Sequence, residues 1–426
     1  MTTPLSSTAE TSLPPSGSPP APVARKFVAA YVLGQLGLWT ALLTPVTVSI
    51  SLKISQIAPD TKTSSLSIVL SIGALLSMVA TPIWGNLSDR TTSRFGRRRP
   101  WLAGGVLAGT VGLVIIALAQ SVPLVVVGWS IAQMGFNASQ AALNALLPDN
   151  VPEDHRGRVS GMVGFTSKVG TLIGTGLVAL SGGAVESMLL LPAVFGLLMI
   201  GLLVAVLPDR PADPTRLAPF RIADIARSLW VNPFAHRDFG WAWAGRFLLY
   251  LGYAFFLTFQ AYVITDHLGY KDSEAPDLVF YGTLAVTIGG LLTAVLGGRI
   301  SDRLERRKIF VGVSAAVMGA GLLIIGLSTT YTHFLIGGTV VGLGMGTYLA
   351  VDMALVARVL PNPDNAAKDL GVFQIANSLP QSLAPLIAPI FLTIGGSDHN
   401  YPATFMAGAV FAVLGALATA PIRGVR

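Results

Sequence analysis

Apolar stretches long enough to cross a lipid bilayer recur twelve times, at roughly 27–52, 64–87, 101–119, 122–148, 159–181, 188–207, 239–264, 278–299, 309–328, 334–359, 370–394 and 402–421. A hydrocarbon core takes about 20 apolar residues per helix. Inside it no water can satisfy backbone N–H and C=O groups, so each stretch must close its own hydrogen bonds as a helix. The chain therefore reads as an all-α membrane protein of twelve transmembrane helices. Composition agrees: 12% of residues are charged and mean hydropathy is +0.65, against about 25% charged in soluble domains. The net charge of +7 does not indicate nucleic acid, because the basic residues sit in short loops between apolar segments. Cysteine is absent, which removes disulfides, thiolate metal sites and cysteine nucleophiles.

The twelve segments fall into two sets of six. Gly85 to Arg90 and Gly298 to Arg303 both read Gly-x-(Leu/Ile)-Ser-Asp-Arg, 213 positions apart. Leu147-Pro148 followed by Asp149-Asn150, and Leu360-Pro361 followed by Asp364-Asn365, repeat at the same offset. Two landmarks at one spacing indicate an internal duplication, hence two pseudo-symmetric six-helix halves. The expected division is a disordered tail over 1–24, a first half over 25–207, a linker over 208–238 and a second half over 239–426. The tail is rich in Pro, Ser and Thr and lacks the charged start and apolar core of a signal peptide. The linker holds an amphipathic stretch, with Phe220, Ile222, Ile225, Leu229 and Trp230 among Arg221, Asp224 and Arg227, suited to lie on a membrane surface.

Orientation follows from the basic residues. One set of loops holds nearly all of them, and the other only Lys53, Lys62 and Lys271. By the positive-inside bias, both termini are expected in the cytoplasm of a cell with this chain in its plasma membrane.

The first repeat continues as Gly85-Asn86-Leu87-Ser88-Asp89-Arg90-Thr91-Thr92-Ser93-Arg94-Phe95-Gly96-Arg97-Arg98-Arg99-Pro100. This loop resembles the signature loop of the major facilitator superfamily. Its longer form resembles the sucrose–proton symporters, neighbours of the glycoside–pentoside–hexuronide:cation symporters. The likeness extends to 128–149 and 370–385. It implies alternating access and cation-coupled, proton-coupled, sugar transport. It also implies a gate: Asp89, with Arg90 and Arg97, would latch the end of the second helix against the eleventh. Asp302, with Arg303, would do the same toward the fifth. Physically, a carboxylate there can face the positive N-terminus of a neighbouring helix. The plainer alternative is that these loops set topology and bind anionic lipid heads. In the fourth segment the sequence departs from the family. The symporters' intramembrane aspartate aligns with Gln133 and their arginine with Asn144, and a glutamine cannot titrate.

Gln133, Asn137, Gln140 and Asn144 fall on one helical face, and Gln374, Asn377 and Gln381 repeat the device in the eleventh segment. Amides in hydrocarbon need partners, so these faces point at protein or water. Either they line a cavity for sugar hydroxyls, which amides suit as donors and acceptors together, or they bond the bundle together. Trp39, Tyr250 and Tyr253, near the midplane, are candidates to cover the C–H faces of a sugar. Trp84, Trp101, Trp241 and Trp243 lie near helix ends and read as interfacial anchors.

Three ionisable groups sit well inside spanning segments: Lys168, Arg246 and Asp352. Each costs roughly 2.5–3.5 kcal/mol at a helix centre, so each should face the interior and pair. Similar depths allow Asp352 to pair with Arg246 or with Lys168, the second pairing bridging the halves. Asp352, the only deep acid, is the coupling candidate; the alternative is a static ion pair.

Gly342-x-Gly344-x-Gly346 lies mid-segment without a strand or a Lys-Ser/Thr and reads as helix packing, not a nucleotide loop. No HExxH pair or GxSxG elbow appears, so neither enzyme chemistry, a metal nor a cofactor is expected. The rival function is a drug or metabolite efflux antiporter on the same fold. Its usual Gly-Pro motif in the fifth segment is lacking, since Gly170 to Gly176 contains no proline. The expected partners are a small-molecule substrate, a co-transported proton or cation and the bilayer. A monomer is expected because one chain holds a complete pathway.

Overall fold

The computed structural model describes residues 25–212, 236–304, 307–359, 366–396 and 399–422. The tail 1–24 and the amphipathic stretch of the linker, with Asp364 and Asn365 of the second echo, lie outside them. Among the described residues twelve long helices follow one another: α1 Arg25–Ile57, α2 Lys62–Asp89, α3 Arg99–Leu118, α4 Val122–Asn150, α5 Glu153–Ala179 and α6 Val185–Val206, then α7 Arg237–His267, α8 Ala275–Leu304, α9 Arg307–Gly326, α10 Tyr331–Val359, α11 Ala366–Leu392 and α12 Tyr401–Ala418. Eleven are long and apolar enough to cross a membrane. The remaining one, α4, has the length, at 29 residues. The amides of its polar face lower its mean hydropathy.

Burial is inverted relative to a soluble protein. Ile68, Leu75, Val79, Leu107, Leu198 and Leu292 face outward, while Gln35, Gln133, Gln260, Arg246 and Asp352 are buried. Apolar side chains gain nothing by leaving lipid, whereas polar ones do, so the polar residues collect between helices.

The packing repeats across the two halves. α1 packs on α6, α2 and α3 on α4; in the second half α7 packs on α12, α8 and α9 on α10. The halves meet through α2 with α11, α5 with α8, and α1 with α7. Glycine makes the tightest of these crossings possible. A Cβ on Gly344 would sit 2.6 Å from the Ser314 carbonyl oxygen of α9, while Gly342 and Gly346 lie against the backbone of Val286 and Gly290 on α8. The glycine run of α10 thus packs two neighbours at once, as its mid-helix position suggests.

Helix ends depart from the apolar count where polar turns extend beyond the lipid. α5 starts at Glu153 rather than near 159, because Pro152, Glu153 and Asp154 form a favourable first turn that apolar counting overlooks. It is interrupted at Phe165 before resuming over Thr166–Ala179. α1 runs past 52 to Ile57 through a π-helical turn, Pro45–Ser49. Pro45 lacks an N–H and crowds the carbonyl one turn back, which widens the helix there. α7 ends in a second π-turn, Val263–His267.

Candidate functional site

A cavity lies between the halves near mid-depth. Its walls come from Val46 and Thr47 of α1, Leu70 and Ala74 of α2, Trp129 and Gln133 of α4, and Ser167, Lys168 and Thr171 of α5. From the second half come Tyr253, Thr258 and Gln260 of α7, Thr283 and Thr287 of α8, and Gln381 of α11. Of the residues singled out in the sequence, the cavity therefore gathers Gln133, Lys168, Tyr253 and Gln381. The π-turn of α1 contributes Val46 and Thr47.

The polar wall is not self-satisfied. Gln133 accepts from Asn137 Nδ2 at its Oε1, 2.9 Å, and among the described residues its own amide N–H has no partner. Trp129 is 0% exposed and its Nε1–H has no hydrogen-bond acceptor; Gln260 is 1% exposed and its Oε1 has no donor. Both atoms are sealed from the cavity, the indole Nε1 lying against Gly73 of α2, where an added Cβ would stand 2.1 Å from it. The polar surface of the cavity comes instead from Gln133, Lys168, Tyr253, Gln381 and the threonines. Trp129 and Gln260 were not singled out from sequence. Gln260 carried the same signal as the others, an amide deep in an apolar segment. The threonines carried none: Thr47, Thr171 and Thr287 bond a carbonyl of their own helix, which any membrane helix tolerates.

Asn137 stands one turn away and is saturated. Its Nδ2 donates to the Gln133 carbonyl at 2.8 Å, and its Oδ1 accepts from Ser77 at 3.2 Å and Thr81 at 3.0 Å on α2. At this residue the amide face bonds helices together. Gln140 donates to Asn144 at 2.9 Å and to Gln35 of α1 at 3.5 Å. The side chain of Gln374 lies outside the described residues. Trp39 is half-buried beside Gly170 of α5 and does not line the cavity.

A second cluster lies within the second half. Arg246 donates to Asp352 and, through Nε, to Asn377 Oδ1. Its guanidinium lies 5.6 Å from the Tyr250 ring centroid and 4.8 Å from that of Phe373. Asp352 is 3% exposed. Of the two pairings open to Asp352, the structure thus has the one with Arg246. Lys168 instead crosses between halves, its Nζ donating to Tyr253 Oη at 2.9 Å.

On the face bearing the basic loops, Asp89 makes no contact with α11 among the described residues. It is 60% exposed and pairs with Arg98 of its own half at 2.5 Å. Arg98, rather than Arg97, is the hub: it is buried and holds Asp89, Asp149 at 2.8 Å and Ser88 Oγ at 2.9 Å. Arg97 pairs with Asp149 at 2.7 Å, and Arg90 donates to Asn86 at 2.6 Å. Asp209 caps α3, accepting from the backbone N–H groups of Arg98 and Arg99. Arg303 is exposed, and the side chain of Asp302 lies outside the described residues. The interfacial tryptophans are anchored by packing as much as by depth. Trp84 packs against Trp101, whose Nε1 donates to Thr91; Trp243 donates to the Val372 carbonyl; and Trp241 is exposed.

The contacts joining the halves lie at mid-depth or on the opposite face. Besides Lys168 to Tyr253, Ser71 Oγ donates to the Ser382 carbonyl at 3.1 Å and Tyr262 Oη to the Ser51 carbonyl at 3.0 Å. Lys62 pairs with Asp266 at 2.6 Å, its Nζ 5.3 Å from the Tyr262 ring centroid, and Tyr401 Oη donates to the other Asp266 oxygen at 2.6 Å. This ion pair joins the two halves. Nothing in the sequence linked Lys62 to Asp266, which lie 204 positions apart. The halves are thus closed together away from the basic face.

Two six-helix halves around a mid-depth cavity, closed on one side, define a multi-pass membrane transporter, not an enzyme. The chain belongs to the Major Facilitator Superfamily, whose family model matches residues 27–289 and again 242–425. It is 28% identical over 127 residues to the uncharacterized MFS-type transporter YfiU of Bacillus subtilis, 30% of this chain and 24% of that one. It is likewise 28% identical over 106 residues to the sucrose transport protein SUC4 of Arabidopsis thaliana, 21% of each. The matched stretches thus span under a quarter of the length of these curated relatives. Among solved structures, a bacterial homologue of the human lysosomal transporter Spinster, inward-facing and unoccupied, superposes with a TM-score of 0.72 at 15% identity, covering 93% of this chain and 97% of that one.

Proposed function

We propose that this chain is a proton-coupled sugar importer working by alternating access, with the basic face in the cytoplasm and the present state closed to the outside. The observation that carries the reading is the cavity wall, a ring of amides and hydroxyls contributed by both halves, with the Gln133 amide N–H unengaged among the described residues. Sugar hydroxyls, each donor and acceptor, complete such a wall, whereas a lipophilic drug leaves it unsatisfied. The similarity to a sucrose transport protein supports the same substrate class. Gln133, Tyr253, Gln381, Trp129 and Gln260 hold the sugar; Asn137 and Asn377 orient neighbours, and Trp39 and Tyr250 pack behind. Asp352 carries the coupling proton. Its protonation frees Arg246 and Asn377 to rearrange between α7, α10 and α11. Asp89, Arg90, Arg97, Asp302 and Arg303 gate the cytoplasmic side in the other state.

The test is sugar-evoked proton movement into proteoliposomes holding a pH-sensitive dye, with mono- and disaccharides, neutral and acidic. A sugar that carries protons inward supports the reading; a folded protein inert to every sugar overturns it. Asp352→Asn should abolish proton-driven accumulation and spare sugar exchange. Accumulation at the wild-type level in that variant moves coupling elsewhere.

A further inference from the structure

Two cations stand at either end of one phenol. On α7, Arg246, Tyr250 and Tyr253 fall at i, i+4 and i+7, a single helical face. At one end of that face Arg246 answers Asp352 of α10 and Asn377 of α11. At the other, Tyr253 Oη accepts from Lys168 of α5 at 2.9 Å, with Nζ 4.5 Å from the same ring's centroid. Tyr250 comes between them on the helix. Its ring centroid is 5.6 Å from the Arg246 guanidinium, its hydroxyl is within hydrogen-bonding reach of that group, and it feels the charge of Lys168. The ring also meets Tyr348 of α10 edge to face at 6.3 Å, and the Tyr348 hydroxyl reaches the Asp352 carboxylate. Asp352, Arg246, Lys168 and the three phenols are thus the titratable groups that face one another here, and α11 adds the neutral amide of Asn377.

Protonating Asp352 takes the counter-ion from Arg246. A guanidinium only donates, so it must find another acceptor, and the neutral oxygens beside it are those of Asn377 and Tyr250. A guanidinium settled on Tyr250 Oη turns the hydroxyl proton toward the Lys168 side, where it opposes the ammonium. In a low-dielectric interior that reversal is felt at the next charge along. The Lys168–Tyr253 hydrogen bond, which ties α5 to α7 across the halves, weakens as a result. We propose that Tyr250 is a positioning residue for coupling: its hydroxyl carries the charge state of Asp352, inside the second half, to the Lys168–Tyr253 contact between the halves. This rests on the reading of Asp352 as proton carrier and adds how a proton bound within one half alters its junction with the other. Tyr250 itself holds neither proton nor substrate.

The experiment is hydrogen–deuterium exchange on the full-length protein without substrate, at neutral pH, in wild type, Asp352→Asn, Tyr250→Phe and the double variant. Substitution replaces acid because acid would also reach Asp266 in its pair with Lys62. Phenylalanine keeps the ring against Arg246 and removes only the hydroxyl. Asp352→Asn should speed exchange around Lys62 and Asp266, where the halves are closed together, by about threefold or more. The double variant should exchange there like Tyr250→Phe alone. Unchanged exchange along α12 shows that the bundle is intact. Equal acceleration with and without the hydroxyl overturns the inference and leaves Asp352 standing; acceleration spread over α12 as well marks a merely loosened fold and overturns it too. No acceleration in Asp352→Asn removes Asp352 as the switch, and this inference with it. In proteoliposomes Tyr250→Phe should spare sugar exchange and lose most proton-driven accumulation, and equal loss of both contradicts a coupling role. The exchange arm uses no sugar, so failure of the sugar reading leaves it decisive.

Discussion

Asp352 is tolerated at its depth because Arg246 answers its charge, and Arg246 in turn holds Asn377. Taking away one member strands the other, which costs about 3–5 kcal/mol in buried pairs. Arg246→Ala should therefore lower the melting temperature sharply, while Asp352→Asn combined with Arg246→Gln should recover most of the loss. The amide face of α4 divides similarly. Asn137→Ala leaves Ser77 Oγ without its acceptor, while Thr81 keeps the Ser77 carbonyl at 2.9 Å, and should cost roughly 1 kcal/mol of thermal stability. Gln133→Ala should leave stability nearly unchanged and weaken substrate binding. A melting scan paired with a binding isotherm separates the two. Sequence reading placed both residues on one face correctly, since helical periodicity demands it. It could not say which amide meets helix and which meets cavity. That depends on the neighbouring helix, and Ser77 and Thr81 advertise nothing by themselves.

Along single helices, the glycines of α10 carry the packing. Gly344→Val places methyl groups where the Ser314 carbonyl and the Met318 backbone already sit. Overpacking of this kind costs about 1–3 kcal/mol or more. Reduced yield of monodisperse protein and a lowered melting temperature are the expected readouts. Gly201→Ala on α6, with nothing within 4 Å of the added carbon, should be neutral. The twelve helices were legible because length and apolarity suffice in lipid. The break of α5 at Phe165 and the π-turns of α1 and α7 were not, since they shift hydrogen bonds without changing hydropathy. Pro45 marked one of these and was overlooked.

Across the whole molecule, the duplicated Gly-x-(Leu/Ile)-Ser-Asp-Arg loop foretold two similar halves, but not which face would close. That is decided by contacts between residues far apart in the chain, such as Lys62 with Asp266, whose other oxygen Tyr401 holds. Lys62→Gln should part the halves on that face. A half-buried pair of this kind is worth about 1–2 kcal/mol, enough to move a two-state population roughly five- to thirtyfold. Because the chain has no cysteine, spin labels placed in pairs across that face report the distance change without background, and an unchanged distance distribution would refute the latch.

Such a latch also makes the carrier asymmetric between its two sides. A substrate arriving at the closed face must wait for the rare open fraction, so its apparent affinity there is diluted by that fraction. From the basic face no such waiting applies. Half-saturation should therefore be weaker from the closed side by about tenfold for each 1.4 kcal/mol the latch contributes. Maximal rates in the two directions must differ in compensation, since no passive carrier can shift the equilibrium it mediates. Measured on oriented vesicles, the half-saturation ratio should collapse toward unity in Lys62→Gln. The Lys62–Asp266 contact is then a setting for sidedness, able to change which concentration range the transporter responds to without touching a single residue that holds the substrate.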